Sequence, residues 1–255
     1  MTGQLKGKVN YSTQGNIAIL EVDNPPVNPL SSGVRAGLSE YILKANSDDS
    51  IEGIILTGAG RSFIAGADIS EFGQKPDGPD LHTALREIEF SKKPVVAAIN
   101  GTALGGGLET ALVCNYRIGT NKAIVGLPEV NLGLLPGAGG TQTLPRAIGE
   151  RRAKELILTG QVFTAEQALE WGLANAVYSA EELLPAALKT AQAIAANAPV
   201  AVRQAKQAIS KGPSMGLADG LAFEIESYNR TIPTQDRREG VSAFNEKRAP
   251  DFKGE

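Results

Sequence analysis

The feature that most constrains this chain is a repeated local grammar: a short run of β-branched apolar residues, a turn of small residues, then a helix with one apolar stripe. Ile51-Glu52-Gly53-Ile54-Ile55-Leu56-Thr57 runs into a Gly-rich loop, and Pro94-Val95-Val96-Ala97-Ala98-Ile99 repeats the pattern after a helical stretch near Leu81, Leu85 and Ile88. Near-continuous apolar strands alternating with helices belong to parallel sheets covered on both faces. A third unit runs through Tyr116-Arg117-Ile118-Gly119-Thr120 and Ala123-Ile124-Val125-Gly126-Leu127, ahead of a glycine-rich stretch from Gly133 to Gly140. The fold class is therefore α/β, a core of repeated βα units.

The flanking segments complete the outline. Tyr11, Ile17, Ile19 and Val22 are β-formers on either side of Thr13-Gln14-Gly15-Asn16, which predicts a hairpin over 9–22. After the Pro-rich loop Asn24-Pro25-Pro26-Val27-Asn28-Pro29, the helical spacing of Val34, Leu38, Ile42 and Ala45 follows the cap candidates Ser31 and Ser32. Beyond Gly149 the texture becomes Ala, Leu, Glu, Lys and Gln, with capping-box spellings at Thr164/Gln167 and Ser179/Glu182, so the last third reads as helical. No linker, low-complexity tract or short-period repeat divides the chain. One functional unit is expected, with 1–195 as the α/β core and 196–255 as a helical C-terminal region.

Composition removes several classes of function. A single Cys and a single His leave no disulfide framework, no zinc cluster and no paired-thiol redox chemistry, so no metal site is expected. With 25 basic against 28 acidic residues and no dense Lys/Arg block, the chain lacks the footprint of phosphate-backbone binding, and no nucleic-acid partner is expected. Met1-Thr2-Gly3-Gln4-Leu5-Lys6-Gly7-Lys8 has no apolar run after its basic residues, and no stretch reaches the roughly 20 apolar residues of a spanning helix. A cytoplasmic protein without a membrane segment is the expectation.

Two glutamates stand out by isolation. Between Lys93 and Arg117 the only Asp, Glu, Lys, Arg or His is Glu109, and between Lys122 and Arg146 it is Glu129. A carboxylate in apolar surroundings is disfavoured in its ionised form, which makes each a candidate for proton transfer; the competing reading is a helix-start or loop residue reaching solvent. Glu109 follows Gly105-Gly106-Gly107-Leu108, where a strand-to-helix turn would expose backbone N–H groups beside the carboxylate as an anion or oxyanion site. Ser62-Phe63-Ile64-Ala65-Gly66-Ala67-Asp68-Ile69 is a second small-residue turn after a parallel strand, and two such turns meet at one crevice in open α/β sheets. No G-x-x-x-x-G-K-[ST] occurs, and Gly58-Ala59-Gly60-Arg61-Ser62-Phe63 has Phe where a dinucleotide fingerprint needs a small residue. His82 reads as a surface or packing histidine and Cys114 as a small core hydrophobe. The helical stretch from Gly78 to Phe90, introduced by Pro76-Asp77-Gly78-Pro79, is a candidate pocket wall.

At these residues the sequence resembles the enoyl-CoA hydratase/isomerase, or crotonase, family from the first hairpin to Lys253. The resemblance rests on Asn24-Pro25-Pro26-Val27-Asn28, Ala65-Gly66-Ala67-Asp68-Ile69, Ala103-Leu104-Gly105-Gly106-Gly107-Leu108-Glu109, and Leu127-Pro128-Glu129 through Pro136-Gly137-Ala138-Gly139-Gly140-Thr141-Gln142, in order and spacing. Tyr116-Arg117-Ile118 to Leu135 also resembles the hydratase part of bifunctional β-oxidation enzymes. Arg237-Arg238-Glu239-Gly240 and Ala243-Phe244-Asn245-Glu246-Lys247-Arg248 resemble the end of single-function members.

The resemblance implies a crotonase-like fold of repeated ββα units in a spiral core, and hydration of a trans-2-enoyl-CoA to a 3-hydroxyacyl-CoA in fatty-acid or branched-chain degradation. It implies an oxyanion hole from the Ala67 and Gly106 N–H groups. Glu129 would act on the attacking water and exchange a proton with C2, while Glu109 would hold and help activate that water. Gly137, Ala65, Asp68 and Ile69 would contact water or substrate, and Arg61, Tyr228, Phe244 and Lys247 the CoA, in part across a subunit boundary. Ser70, where many members have Lys, and Arg61, where Lys is common, depart from the family pattern at the adenosine-phosphate site. No cofactor is implied, since CoA is part of the substrate. A homotrimer or a homohexamer of paired trimers is implied, with 196–255 serving assembly and completing the CoA site. The alternatives are a Δ3,Δ2-enoyl-CoA isomerase, which can manage with one carboxylate, and a non-catalytic acyl-CoA-binding or RNA-associated member of the fold.

Overall fold

The computed structural model describes residues 6–73 and 77–255. The start of the N-terminal octapeptide, Met1-Thr2-Gly3-Gln4-Leu5, and Pro76 of the turn before the candidate wall lie outside the described residues.

The hairpin forms as the sequence predicts: β1 (Lys8–Gln14) and β2 (Ile17–Asp23) pair antiparallel around the Gly15-Asn16 turn. Helix α1 (Ser32–Ser47) buries Val34, Leu38, Ile42 and Ala45 as one stripe. Three strand pairs follow. They are β3 (Gly53–Gly58) with β4 (Ser62–Ile64), β5 (Val95–Ile99) with β6 (Thr102–Leu104), and β7 (Tyr116–Thr120) with β8 (Ile124–Gly126). Helix α2 (Leu81–Glu89) separates the first pair from the second, and α3 (Gly106–Val113) the second from the third. After α4 (Gly140–Ile148) and α5 (Glu150–Thr159) come β9 (Val162–Thr164), α6 (Ala165–Glu170) and β10 (Ala176–Tyr178). Helices α7 (Ala180–Ala195), α8 (Pro199–Lys211), α9 (Leu217–Asn229) and α10 (Gln235–Glu246) complete the chain. Among the described residues no helix is long and apolar enough to cross a membrane.

The first strand of each pair enters a six-stranded sheet of order β1-β2-β3-β5-β7-β10, and the second enters a four-stranded sheet of order β4-β6-β8-β9. Pairings between successive units are parallel in both sheets. The chain thus climbs as a spiral of ββα units, one strand per unit in each sheet. This corrects the simpler βα reading, because β4 and β6 lie where small-residue turns are expected. A three-residue strand is too short to show a two-residue period. The same limit hides β9 and β10 in the segment read as helical.

The apolar runs reflect burial on both faces. Ala18, Leu20, Ile54, Leu56, Val95 and Ala97 face a core shared with α1, α2 and α3. The alternate residues Ile17, Ile55, Val96, Ala98 and Ile118 pack on Leu183, Ala187, Leu188 and Ala191 of α7. Each Leu, Ile or Val among them contributes about 1.5–3 kcal/mol on leaving water, so neither face tolerates charge. Both predicted capping boxes form, Thr164 with Gln167 on α6 and Ser179 with Glu182 on α7.

Candidate active site

The site is built where the turns after β4 and β6 meet. Gly105, with φ 52° and ψ −127°, takes a conformation that a side chain would oppose, and it turns β6 directly into α3. Because Gly106 opens α3, its N–H has no acceptor within the helix. The Cα position of Gly106 lies close to the other turn: a side-chain carbon built there would sit 3.9 Å from the Ala67 nitrogen. Ala67 is fixed by a parallel bridge to Leu30, whose N–H donates to Gly66 O at 2.8 Å. The two turns, from separate ββα units, are thereby brought beside one another.

They open on a cleft of about 310 Å³ lined by both turns, by Leu81 and His82 of α2, and by the segment from Pro128 to Ala138. Its walls are largely apolar, with Ile69, Phe72, Leu104, Leu132, Leu134 and Leu135 among them, and the carboxyl groups lining it are Glu109 and Glu129.

The two carboxyls have different surroundings. Glu109, in the first turn of α3, is only 3% exposed, and its Oε1 accepts from Ala138 N and Gly140 N at 2.8 Å each. Burial pushes its pKa upward, while those two N–H groups and the nearby His82 pull the other way. Glu129 opens the short 3-10 turn Glu129–Leu132, and its buried Oε2 has no hydrogen-bond partner. Burial raises its pKa too, and the charge of Glu109 raises it further. Both carboxyls are thus shifted upward by burial, with a hydrogen bond from its own backbone N–H partly opposing the rise at Glu129.

Of the residues singled out from sequence, Ala65, Ala67, Ile69, Gly106, Glu109, Glu129 and Gly137 all line the cleft. Asp68 does not. Its carboxylate turns away to Lys6 Nζ at 2.7 Å and to Ser70 N at 3.0 Å and Oγ at 2.6 Å, capping the 3-10 turn Ile69–Glu71, so it acts as a brace for the turn. Arg61 is exposed in the turn between β3 and β4; Tyr228 on α9, Phe244 on α10 and Lys247 at the end of α10 are exposed as well. None of these four reaches the cleft within one chain. The α2 wall is present as expected through Leu81 and His82. His82 is exposed, as a surface histidine is expected to be, and its Nε2 lies 2.7 Å from Gly137 O at the cleft edge. A contact across 55 positions leaves no local spelling; the one available signal is its place in the first turn of a wall helix.

Comparison with known proteins places these features in a group. The model of the enoyl-CoA hydratase/isomerase family matches residues 12–255. A short-chain-enoyl-CoA hydratase of Clostridium acetobutylicum is 41% identical over 92% of this chain and 93% of its own. A 2,3-dehydroadipyl-CoA hydratase of Escherichia coli is 38% identical over 95% of this chain and 97% of its own. The crystal structure of an enoyl-CoA hydratase from Bacillus anthracis superposes with a TM-score of 0.91 at 41% identity, covering 98% of this chain and 100% of that one.

Proposed function

We propose that this chain, which belongs to the enoyl-CoA hydratase/isomerase family and has its crotonase fold, is an enoyl-CoA hydratase that adds water reversibly across the 2,3 double bond of a trans-2-enoyl-CoA. The observation that carries the reading is the pair of desolvated carboxyls, Glu109 accepting from two N–H groups and Glu129 with its Oε2 unpartnered, in an otherwise apolar cleft lined by the turns that hold Ala67 and Gly106.

The thioester carbonyl oxygen takes the Ala67 and Gly106 N–H groups. As water adds at C3, negative charge passes from the double bond to that oxygen, so fixed donors stabilise the transition state more than the ground state. Ionised Glu109 holds the water and accepts its proton as oxygen bonds to C3. Glu129, carrying the proton of the pair, delivers it to C2 as the enolate collapses. Proton return from Glu109 to Glu129 resets the pair, and the reverse sequence dehydrates the 3-hydroxyacyl thioester.

Among the described residues the cleft wall is largely apolar and carries no Lys or Arg, which suits an uncharged acyl chain. CoA is held outside the cleft by Arg61 and, in an assembled homotrimer or paired trimer, by Tyr228, Phe244 and Lys247 of the 196–255 region. Support for assembly comes from the large exposed side chains Leu217, Leu221, Ile225 and Tyr228 along one face of α9. A Δ3,Δ2-isomerase needs one carboxylate that takes a proton from C2 and returns it to C4, a role that an ionised Glu129 could fill by itself. Absorbance of the conjugated thioester separates the two activities: hydration of crotonyl-CoA removes it, and isomerisation of a 3-enoyl-CoA creates it. Rapid loss with crotonyl-CoA that both Glu109→Gln and Glu129→Gln abolish is expected. A wild-type protein that only produces absorbance from the 3-enoyl thioester overturns the hydratase reading.

A further inference from the structure

The peptide unit joining Gly137 to Ala138 is held at both ends by side chains. Its oxygen lies 2.7 Å from His82 Nε2, and its nitrogen donates to Glu109 Oε1 at 2.8 Å. A carbonyl oxygen can only accept, so Nε2 carries a hydrogen and donates, whether the ring is neutral or charged. A peptide whose oxygen accepts a hydrogen bond becomes a stronger donor at its N–H, because bonds in a chain polarise one another, most of all away from water. We infer that His82 is a positioning residue for Glu109, acting through the Gly137–Ala138 peptide unit, which it both orients and polarises toward the carboxylate that activates water.

The placement of His82 suits this role. It stands at the second position of α2, a helix started by Asp80, whose side chain accepts from Thr83 N at 2.7 Å. The ring reaches from the α2 wall to the loop that presents Ala138 N–H and Gly140 N–H to Glu109. That loop, from Gly133 to Gly140, has four glycines, no charged side chain and exposed leucines at 134 and 135, so little else of its own fixes the tilt of this peptide. The carboxylates that feel His82 are Asp80 at the start of its own helix and Glu109 from α3. Glu109 has a direct tie to Gly140 N–H that does not involve His82, so the effect is partial rather than all or none.

The inference rests on the hydratase reading, and the test separates the two. His82→Leu removes the donor at an exposed position where folding is insensitive, and His82→Gln restores an uncharged donor at about the place of Nε2. With crotonyl-CoA, His82→Leu is expected to lower kcat about tenfold, the scale of one lost hydrogen bond, with KM changed less than about twofold. The acid limb of its kcat profile moves to higher pH, since Glu109 loses part of what stabilises its charge, and His82→Gln returns both toward wild type. Carbon-13 NMR of glutamate carboxyls, with the Glu109 signal identified by its loss in Glu109→Gln, follows the same shift without turnover. An unchanged Glu109 titration and acid limb in His82→Leu, a loss confined to KM, or equal defects in Leu and Gln variants overturns the inference. Absence of hydration in the wild type overturns the hydratase reading instead.

Discussion

At the scale of single residues, the proposed chemistry turns on two buried carboxyls, of which Glu109 accepts two N–H groups from a neighbouring loop and Glu129 leaves its Oε2 unpartnered. Glu129→Gln keeps the shape of the side chain but has no proton to give C2, so hydration is expected to fall by about 10²- to 10⁴-fold with thioester binding largely retained. Steady-state rates and a binding isotherm check the two halves, and unchanged turnover in a folded variant refutes the role. The same group costs stability. Its folded pKa is raised, so the native state holds a proton that the unfolded state has released, and stability falls as pH rises through that window. Glu129→Gln is therefore expected to melt above wild type at pH 7, with the difference vanishing below about pH 4, where the carboxyl is protonated in both states. Melting scans at both pH values test the sign. Glu109 and Glu129 were legible in the sequence because no other charged residue surrounds them, and burial requires that. Asp68 was legible only as part of a motif; its role as a brace depends on Lys6, which sequence distance conceals. His82 carried no local signature at all.

At the scale of elements, the same turn contains two glycines with different duties. A side-chain carbon on Gly107 would lie 1.9 Å from the Ile64 oxygen, a backbone atom that cannot yield without separating α3 from β4. On Gly106 it would meet the ends of Leu30 at 2.9 Å and Leu81 at 3.1 Å, flexible side chains that can move. Gly107→Ala is thus expected to destabilise the fold by about 1–3 kcal/mol, as overpacking does. Gly106→Val is expected to keep near-native melting yet lose turnover, because it crowds the place where the oxyanion meets its donors. Urea melts beside crotonyl-CoA kinetics distinguish the two; normal activity in a well-folded Gly106→Val counts against the assigned donor. The strands of the large sheet were readable because two buried faces demand six or so apolar residues in a row. The second sheet was readable only at β8, within the run 123–127: the other three-residue strands are specified by pairing with neighbours contributed from other units, and such pairing has no spelling within a single strand.

At the scale of the whole molecule, the cleft and the helical C-terminal region are complementary in what they lack. Among the described residues the cleft is lined by no Lys or Arg that could meet the phosphates of CoA, while α9 and α10 expose large apolar and basic side chains that are not part of the cleft lining. Leu217 is 81% exposed and Phe244 83%, apolar surface whose burial against another chain would be favourable. Covering the α9 stripe with a second copy would place the 196–255 region of one protomer against another, which is the arrangement that the proposed role of Phe244 and Lys247 at a neighbour's CoA requires. Leu221→Glu with Ile225→Glu puts two charges into that face without touching the cleft, so sedimentation velocity is expected to show smaller species than wild type. If the neighbour completes the CoA site, the KM for crotonyl-CoA rises about tenfold or more in the dissociated variant, while a crotonyl thioester truncated to pantetheine, which lacks the adenosine phosphates, is turned over with little change. Equal losses on both thioesters would mean that assembly supports the cleft itself, and an unchanged sedimentation profile would mean that α9 is not the face through which copies meet.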